Sequence, residues 1–359
     1  MIQMEKLLAA AVKQHVEDII LTVGLPPNFR LYGQFESLPT KVLEPEDTVA
    51  LMKSITPERH QQELQEEGST DFGFSYKDQT RFRVAAFRQN GYICVVLRLI
   101  PSHIRSFEEL GLDIHIQELL YRPRGMLLVT GPTGSGKTTT LATMIDHINS
   151  NRKVHIVTIE DPVEYRHTHK KAIISQREVG SDVPSFSEAL SRTLRQTPDV
   201  ILVGEMRDLE STRLAVSAAE TGHLLLSTVH TNSAQETVER IIEQFSAQEQ
   251  QQIRTQLASC LLAVLSQSLI PRADGSGLVA AFEILIANNA VRNLIRENKT
   301  FRIDSTIQTN RDKGMNLLDD SLVSLYSKGI IDRTEVLTRA RYPEEVSETL
   351  KEIEVLAQP

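Results

Sequence analysis

Lys137 and Thr138 close the octapeptide Gly131-Pro132-Thr133-Gly134-Ser135-Gly136-Lys137-Thr138, which meets every fixed position of G-x-x-x-x-G-K-[ST]. In such a loop the glycines let backbone N–H groups turn inward around a phosphate chain, and the helix that follows offers its positive N-terminus to the same anion. Lys137 supplies a mobile charge for the β- and γ-phosphates, and Thr138, with Thr139 beside it, brings a hydroxyl to Mg²⁺. The apolar run Met126-Leu127-Leu128-Val129-Thr130 stands directly before the loop and helical sequence directly after it. That strand–loop–helix context separates the motif from a glycine-rich turn, and it predicts binding of a nucleoside triphosphate.

Hydrolysis needs carboxylates that hold the metal and orient water. One supply is Glu160, Asp161 and Glu164, at and beyond the end of the strand-like run Val157-Thr158-Ile159. A second is Glu205, behind the apolar run Val200-Ile201-Leu202-Val203-Gly204. Glu160 and Asp161 also suit a role as caps, and Glu205 also suits an ion pair with Arg207. His223 opens and His230 closes the run Leu224 to Val229, and the carboxyl end of a parallel strand is where ligands collect. His230 is therefore the better placed of the two, while His223 reads equally well as structural.

These residues need a scaffold, and from Gly125 onward the texture is strand then helix in repetition: strands at 126–130, 154–159, 200–203 and 224–229, with helices from Lys137 and near 209–220. That alternation predicts a parallel sheet with helices on its faces. Upstream, residues 1–100 read as a small α+β domain: a helix at Met4 to Val12, short strands near 19–23 and 29–32, helices after Pro45 and Thr56-Pro57, and β runs at 71–76, 81–88 and 92–100. Asn90-Gly91 predicts a hairpin between the last two. Residues 101–124 read as a linker, 125–270 as the nucleotide-binding core and 271–359 as a mostly helical C-terminal part. Ser233 and Glu236 spell a capping box, a helix is predicted over 251–269 up to Pro271, a strand near 278–282 and helices near 288–297, 315–328 and 332–341.

With 359 residues the chain can bury two cores, and a net charge of −8 argues against nucleic acid as a partner and for proteins. Cys94 and Cys260 are far apart, each in an apolar run, which predicts reduced core thiols and no zinc site. The N-terminus lacks the basic and apolar regions of a signal peptide, and no run of about eighteen apolar residues occurs, so a cytoplasmic location is expected.

The ordered set GPTGSGKT, VTIEDPVEY, LRQTPDVILVGEMRD and AAETGHLLLSTVHTNSA resembles the Walker A, Asp, Walker B and His boxes of the type II/IV secretion ATPase superfamily. The resemblance covers most of the chain. It implies a PAS-like N-terminal domain ahead of a RecA-like ATPase domain, a homo-hexamer, and ATP with Mg²⁺. Residues 290–297, AVRNLIRE, are similar to a motif of the pilus-retraction, PilT-like branch, although the residues alone describe only an amphipathic helix. A four-cysteine zinc insertion common in assembly and type II relatives has no counterpart around Cys260. Retraction of type IV pili is therefore the implied work, with pilus assembly or secretion, or nucleotide-dependent regulation without turnover, as the alternatives. The resemblance also implies docking on an inner-membrane platform protein at the cytoplasmic face of the membrane. It makes Glu164 the water-orienting acid, Glu205 the Mg²⁺-linked carboxylate, His230 a γ-phosphate sensor, and Arg83, Arg98, Arg195 and Arg207 the arginines that reach a nucleotide, the first two across a subunit boundary. Taken alone, Arg81, Arg83 and Arg88 read equally as a solvated strand face. Ser191, Thr197 and Asp18-Ile19-Ile20 depart from the family pattern.

Overall fold

The computed structural model describes residues 3–31, 34–77, 80–100 and 103–356, and they fall into two compact units. The first takes the chain up to Ile104 together with Asp161–Arg166; the second takes Arg105–Glu160 and the chain from His167.

The first unit holds α1 (Met4–Lys13), β1 (Asp18–Leu21), β2 (Asn28–Leu31), β3 (Gln34–Ser37), α2 (Pro45–Lys53), α3 (Glu58–Glu67), β4 (Ser69–Tyr76), β5 (Thr80–Gln89) and β6 (Tyr92–Ile100). Its sheet runs β3-β2-β1-β6-β5-β4, every pair antiparallel. The β5–β6 hairpin turns through Asn90 and Gly91 at φ 51° and 83°, the left-handed conformations a two-residue hairpin needs to match strand twist. Alternation along β5 buries Phe82, Val84 and Ala86 against Leu7 and Leu8 of α1 and Leu51 of α2. The strand β3, exposed along its whole length, has Phe35 as its single apolar residue and so carries no alternating hydrophobic signal.

The second unit contains α4 (Phe107–Leu110), α5 (Ile114–Leu119), β7 (Gly125–Thr130), α6 (Lys137–Asn151), β8 (His155–Glu160), β9 (Ile173–Glu178), α7 (Phe186–Thr193), β10 (Val200–Val203), α8 (Leu209–Thr221), β11 (Leu224–Val229), α9 (Ala234–Glu243), α10 (Gln250–Cys260), β12 (Leu261–Pro271), β13 (Leu278–Ile286), α11 (Asn289–Arg296), α12 (Ile303–Gln308), α13 (Leu318–Ser327), α14 (Arg333–Arg339) and α15 (Pro343–Leu356). The sheet order is β13-β12-β7-β11-β10-β8-β9, parallel throughout except β13 against β12. β7, β10 and β11 are buried at every residue, which is why they read as unbroken apolar runs rather than alternating ones. One core lies on each face, α6 filling one and α8, α9 and α10 the other.

The helix expected over 251–269 is a correction. α10 ends at Cys260 and the chain continues as β12, paired with β7 on one side and β13 on the other. A strand buried on both faces shows no period of two, so Leu261-Leu262-Ala263-Val264-Leu265 fits a buried helix equally well, and only its neighbours decide. The strand β9 and the helices α7 and α15 were not expected from the sequence either. The Ser233 hydroxyl accepts from the Glu236 N–H at 3.1 Å as the capping box requires, but the Glu236 carboxylate accepts from Asn232 N–H instead of Ser233. Among the described residues no helix is long and apolar enough to cross a membrane.

Both cysteines are free and buried. Burial raises the Cys94 thiol pKa and pushes that of Cys260 up to about 12, so neither is a thiolate at pH 8. A thiol-reactive disulfide reagent at pH 8 should titrate essentially no thiol in the native protein and both after denaturation; rapid native reaction at either would contradict this packing.

Candidate functional site

Parallel register brings four strand ends to one edge of the second sheet. Thr130 of β7 pairs with Val229 of β11, Ser227 of β11 with Val203 of β10, and Val203 with Ile159 of β8. The chain leaves that edge as the phosphate loop after β7, as His230 after β11, as Gly204-Glu205 after β10, and from Glu160 at the end of β8.

The loop curls because Gly131, Gly134 and Gly136 take φ of 137°, 80° and 88°. Gly131 has a second reason to be glycine: a Cβ there would collide with the Gln267 carbonyl oxygen and approach Ser135 Oγ to 2.6 Å. Gly136 is the N-cap of α6, so the helix starts at Lys137 and its free N–H groups open onto the loop. Pro132, Thr133 and Gly134 are exposed, Ser135 and Lys137 buried, Thr138 and Thr139 half-buried.

The buried Lys137 Nζ donates to the carbonyls of Gly131 and Pro132, both at 2.9 Å. Burial lowers its pKa, against a smaller opposing pull from Glu205. Ser135 Oγ is buried, with no hydrogen-bond partner among the described residues. A desolvated cation, an unpartnered hydroxyl and a helix N-terminus at one glycine cradle make a site that suits a phosphate chain. Glu205 is held firmly, because Thr228 Oγ1 donates to the Gly204 carbonyl at 2.7 Å and Met206 N–H to the Thr228 carbonyl at 3.2 Å. Its carboxylate meets Arg207 at 2.5 Å and His230 Nε2 at 3.4 Å. Among the described residues no three His, Cys, Asp or Glu side chains gather into a metal cage. Thr138 and Glu205 instead offer the sparse oxygen donors that suit Mg²⁺, which takes its remaining ligands from phosphate and water.

The profile of the type II/IV secretion system protein family matches residues 58–316. The chain belongs to that family. It is 46% identical over 339 residues to the type IV pilus retractation ATPase PilT of Pseudomonas aeruginosa, covering 94% of this chain and 98% of that protein. It is also 46% identical over 321 residues to a twitching motility protein of Neisseria gonorrhoeae, covering 89% and 86%. The crystal structure of the pilus retraction motor PilT with bound ADP superposes with a TM-score of 0.89 at 44% identity, over 97% of this chain and all of that one.

Other residues singled out in this secretion-family chain are distributed unevenly. Arg83 Nη1 lies 3.9 Å from Glu164 Oε1, both within the first unit, where the Asp161–Arg166 segment groups. Arg98 Nε donates to the buried Asp18 at 2.8 Å, and this pairing holds its pKa above the usual value. Asp18 thus serves to orient Arg98. Glu160 is no helix cap: its carboxylate accepts from Thr158 Oγ1 at 2.7 Å and Gln176 Nε2 at 3.2 Å. Arg195 is exposed after α7, before β10 begins, so the chain places it at the sheet edge opposite its own phosphate loop. His223 also sits at that far edge, donating from Nδ1 to the Ala218 carbonyl at the end of α8.

Sequence reasoning missed Gln267. Buried on β12, it accepts the Thr140 hydroxyl at 2.7 Å, and a Cβ on Gly136 would meet its Nε2 at 2.9 Å. The missing signal was a polar residue inside an apolar run, which only a strand assignment makes unusual. Gly131→Ala should disrupt the loop, since the residue must leave a conformation costing about 1–3 kcal/mol for a non-glycine and displace Gln267 as well. Calorimetric titration with ADP should show affinity falling by about tenfold or more; unchanged affinity would refute the cradle geometry.

Proposed function

We propose that this chain is the ATP-hydrolysing subunit of a motor that drives type IV pilus retraction. The observation that carries the proposal is the glycine cradle facing Glu205 and His230 on one sheet edge, in a chain resembling pilus retraction ATPases over nearly its whole length. Lys137 and the N–H groups of residues 131 and 133–139 bind the phosphates, and Thr138 and Glu205 would hold Mg²⁺. Bound Mg²⁺ neutralises charge on the transferring phosphoryl group. Glu164 orients the attacking water, and His230, joined to Glu205 at 3.4 Å, reports whether the terminal phosphate is present.

Arg83, Arg98 and Arg195 act on the nucleotide of a neighbouring copy in a homo-hexamer, and Arg207 acts within its own site by competing for Glu205. An arginine supplied across a subunit boundary is worth roughly 10³–10⁵ in rate where it has been measured, which ties turnover to subunit position. Residues 1–100 are the domain whose movement accompanies the cycle. The hexamer works at the cytoplasmic face of the inner membrane, held there by a platform protein rather than by lipid.

Lys137→Ala should lose nucleotide binding, whereas Glu164→Gln and Arg83→Ala should bind ATP but turn over about a hundredfold or more slowly. Steady-state phosphate release with parallel binding measurements checks all three, and wild-type turnover in Glu164→Gln would remove that residue from the chemistry. A strain lacking the protein should keep its pili and fail to retract them; loss of pili altogether would point to assembly.

A further inference from the structure

We propose that the β12–β13 ribbon is the positioning element of the nucleotide site, with Gln267 on one face fixing the phosphate loop and Glu283 on the other fixing the loop that carries His230. This rests on reading the loop as a phosphate site.

The two strands are antiparallel, with Gln267 opposite Phe282 and Ser266 opposite Glu283. Successive side chains of a strand point to opposite faces, so Gln267 and Glu283 lie one step apart and back to back. Packing agrees: Leu265 and Phe282 share a core with α6, while Val264 and Leu285 share one with α9.

On the α6 face, pairing of Ser266 with Thr130 sets Gln267 beside the first residue of the loop. Its backbone carbonyl abuts Gly131, its amide packs on Gly136, and its Oε1 accepts from Thr140 one turn into α6. One 1%-exposed residue therefore touches the beginning of the loop, its end and the helix behind it. An amide suits this position because its oxygen satisfies the buried Thr140 hydroxyl without placing a negative charge beside the phosphates.

On the α9 face, Glu283 is 2% exposed, and its Oε1 accepts the Ala234 N–H at 2.7 Å. Ala234 is the first residue of α9, and its N–H is one of the donors a helix start leaves unmet. The segment from His230 to Ser233 thus hangs between β11 and a helix start that Glu283 holds. Thr231 and Thr237, hydroxyl to hydroxyl at 2.7 Å, brace it from inside. Oε2 faces Arg341 at 3.9 Å, and Arg341 in turn meets Asp304 at 2.9 Å, so the same carboxylate reaches the C-terminal helices.

The two positions should separate kinetically, because one aligns binding groups and the other a group that acts on the terminal phosphate. Gln267→Leu should weaken ADP binding and raise the KM for ATP by about tenfold or more, with kcat changed less than about threefold. Glu283→Leu should lower kcat by about tenfold while ADP affinity holds, and Glu283→Gln, which keeps an oxygen for Ala234 N–H, should restore most of it. Thermal melting of each variant reports folding, and if Gln267→Leu fails to fold, Thr140→Val removes only the hydroxyl and should show the same loss of ADP affinity. Wild-type ADP affinity in Gln267→Leu or Thr140→Val, or equal losses in the two glutamate variants, would overturn the proposal. Lys137→Ala separates it from the reading beneath: retained ADP binding there would sink the phosphate site itself.

Discussion

An ammonium group buried at the mouth of a helix must find oxygen atoms or lose its charge, and the second unit is arranged around that demand at Lys137. The side chain is buried because the loop folds over it, and the loop folds because three glycines take conformations that other residues rarely adopt. Two loop carbonyls supply the oxygens. A phosphate chain supplies them better, since it also meets the unpartnered Ser135 hydroxyl and the N–H groups opening α6. The cradle is thus preorganised for an anion, with the conformational cost already met in folding.

Everything else at that edge follows from a parallel sheet. Parallel strands deliver their carboxyl ends together, so residues distant in sequence, such as Lys137, Glu205 and His230, converge without any local contact. Hydrogen bonds from Thr228 and Met206 link the Glu205 turn to β11, so the carboxylate and His230 are held by one strand. The ribbon of β12 and β13 closes the arrangement from the side, reaching both loops with one buried amide and one buried carboxylate.

The first unit solves a different problem, that of holding arginines extended. Arg83 and Arg98 stand opposite each other on the β5–β6 hairpin, where two like charges repel unless acids separate them. Asp18 takes Arg98 and Glu164 stands near Arg83. Guanidinium groups held in this way have less conformational freedom to lose on pairing with any anion.

What the sequence determined is whatever depends on local chemistry. The phosphate loop is written in residues that must be neighbours, Asn90-Gly91 in a turn that needs positive φ, and β7, β10 and β11 in apolar runs whose shortness favours a strand covered on both faces. Glu205 and His230 were legible because each closes such a run. Tertiary structure decided what depends on pairing partners. It turned 261–269 from helix to strand, since a doubly buried run carries no periodicity and β7 and β13 supply its hydrogen bonds. It sent Arg195 to the far edge because α7 runs back across the sheet, and it gave Gln267 and Glu283 their places through a register that no stretch of the chain encodes by itself.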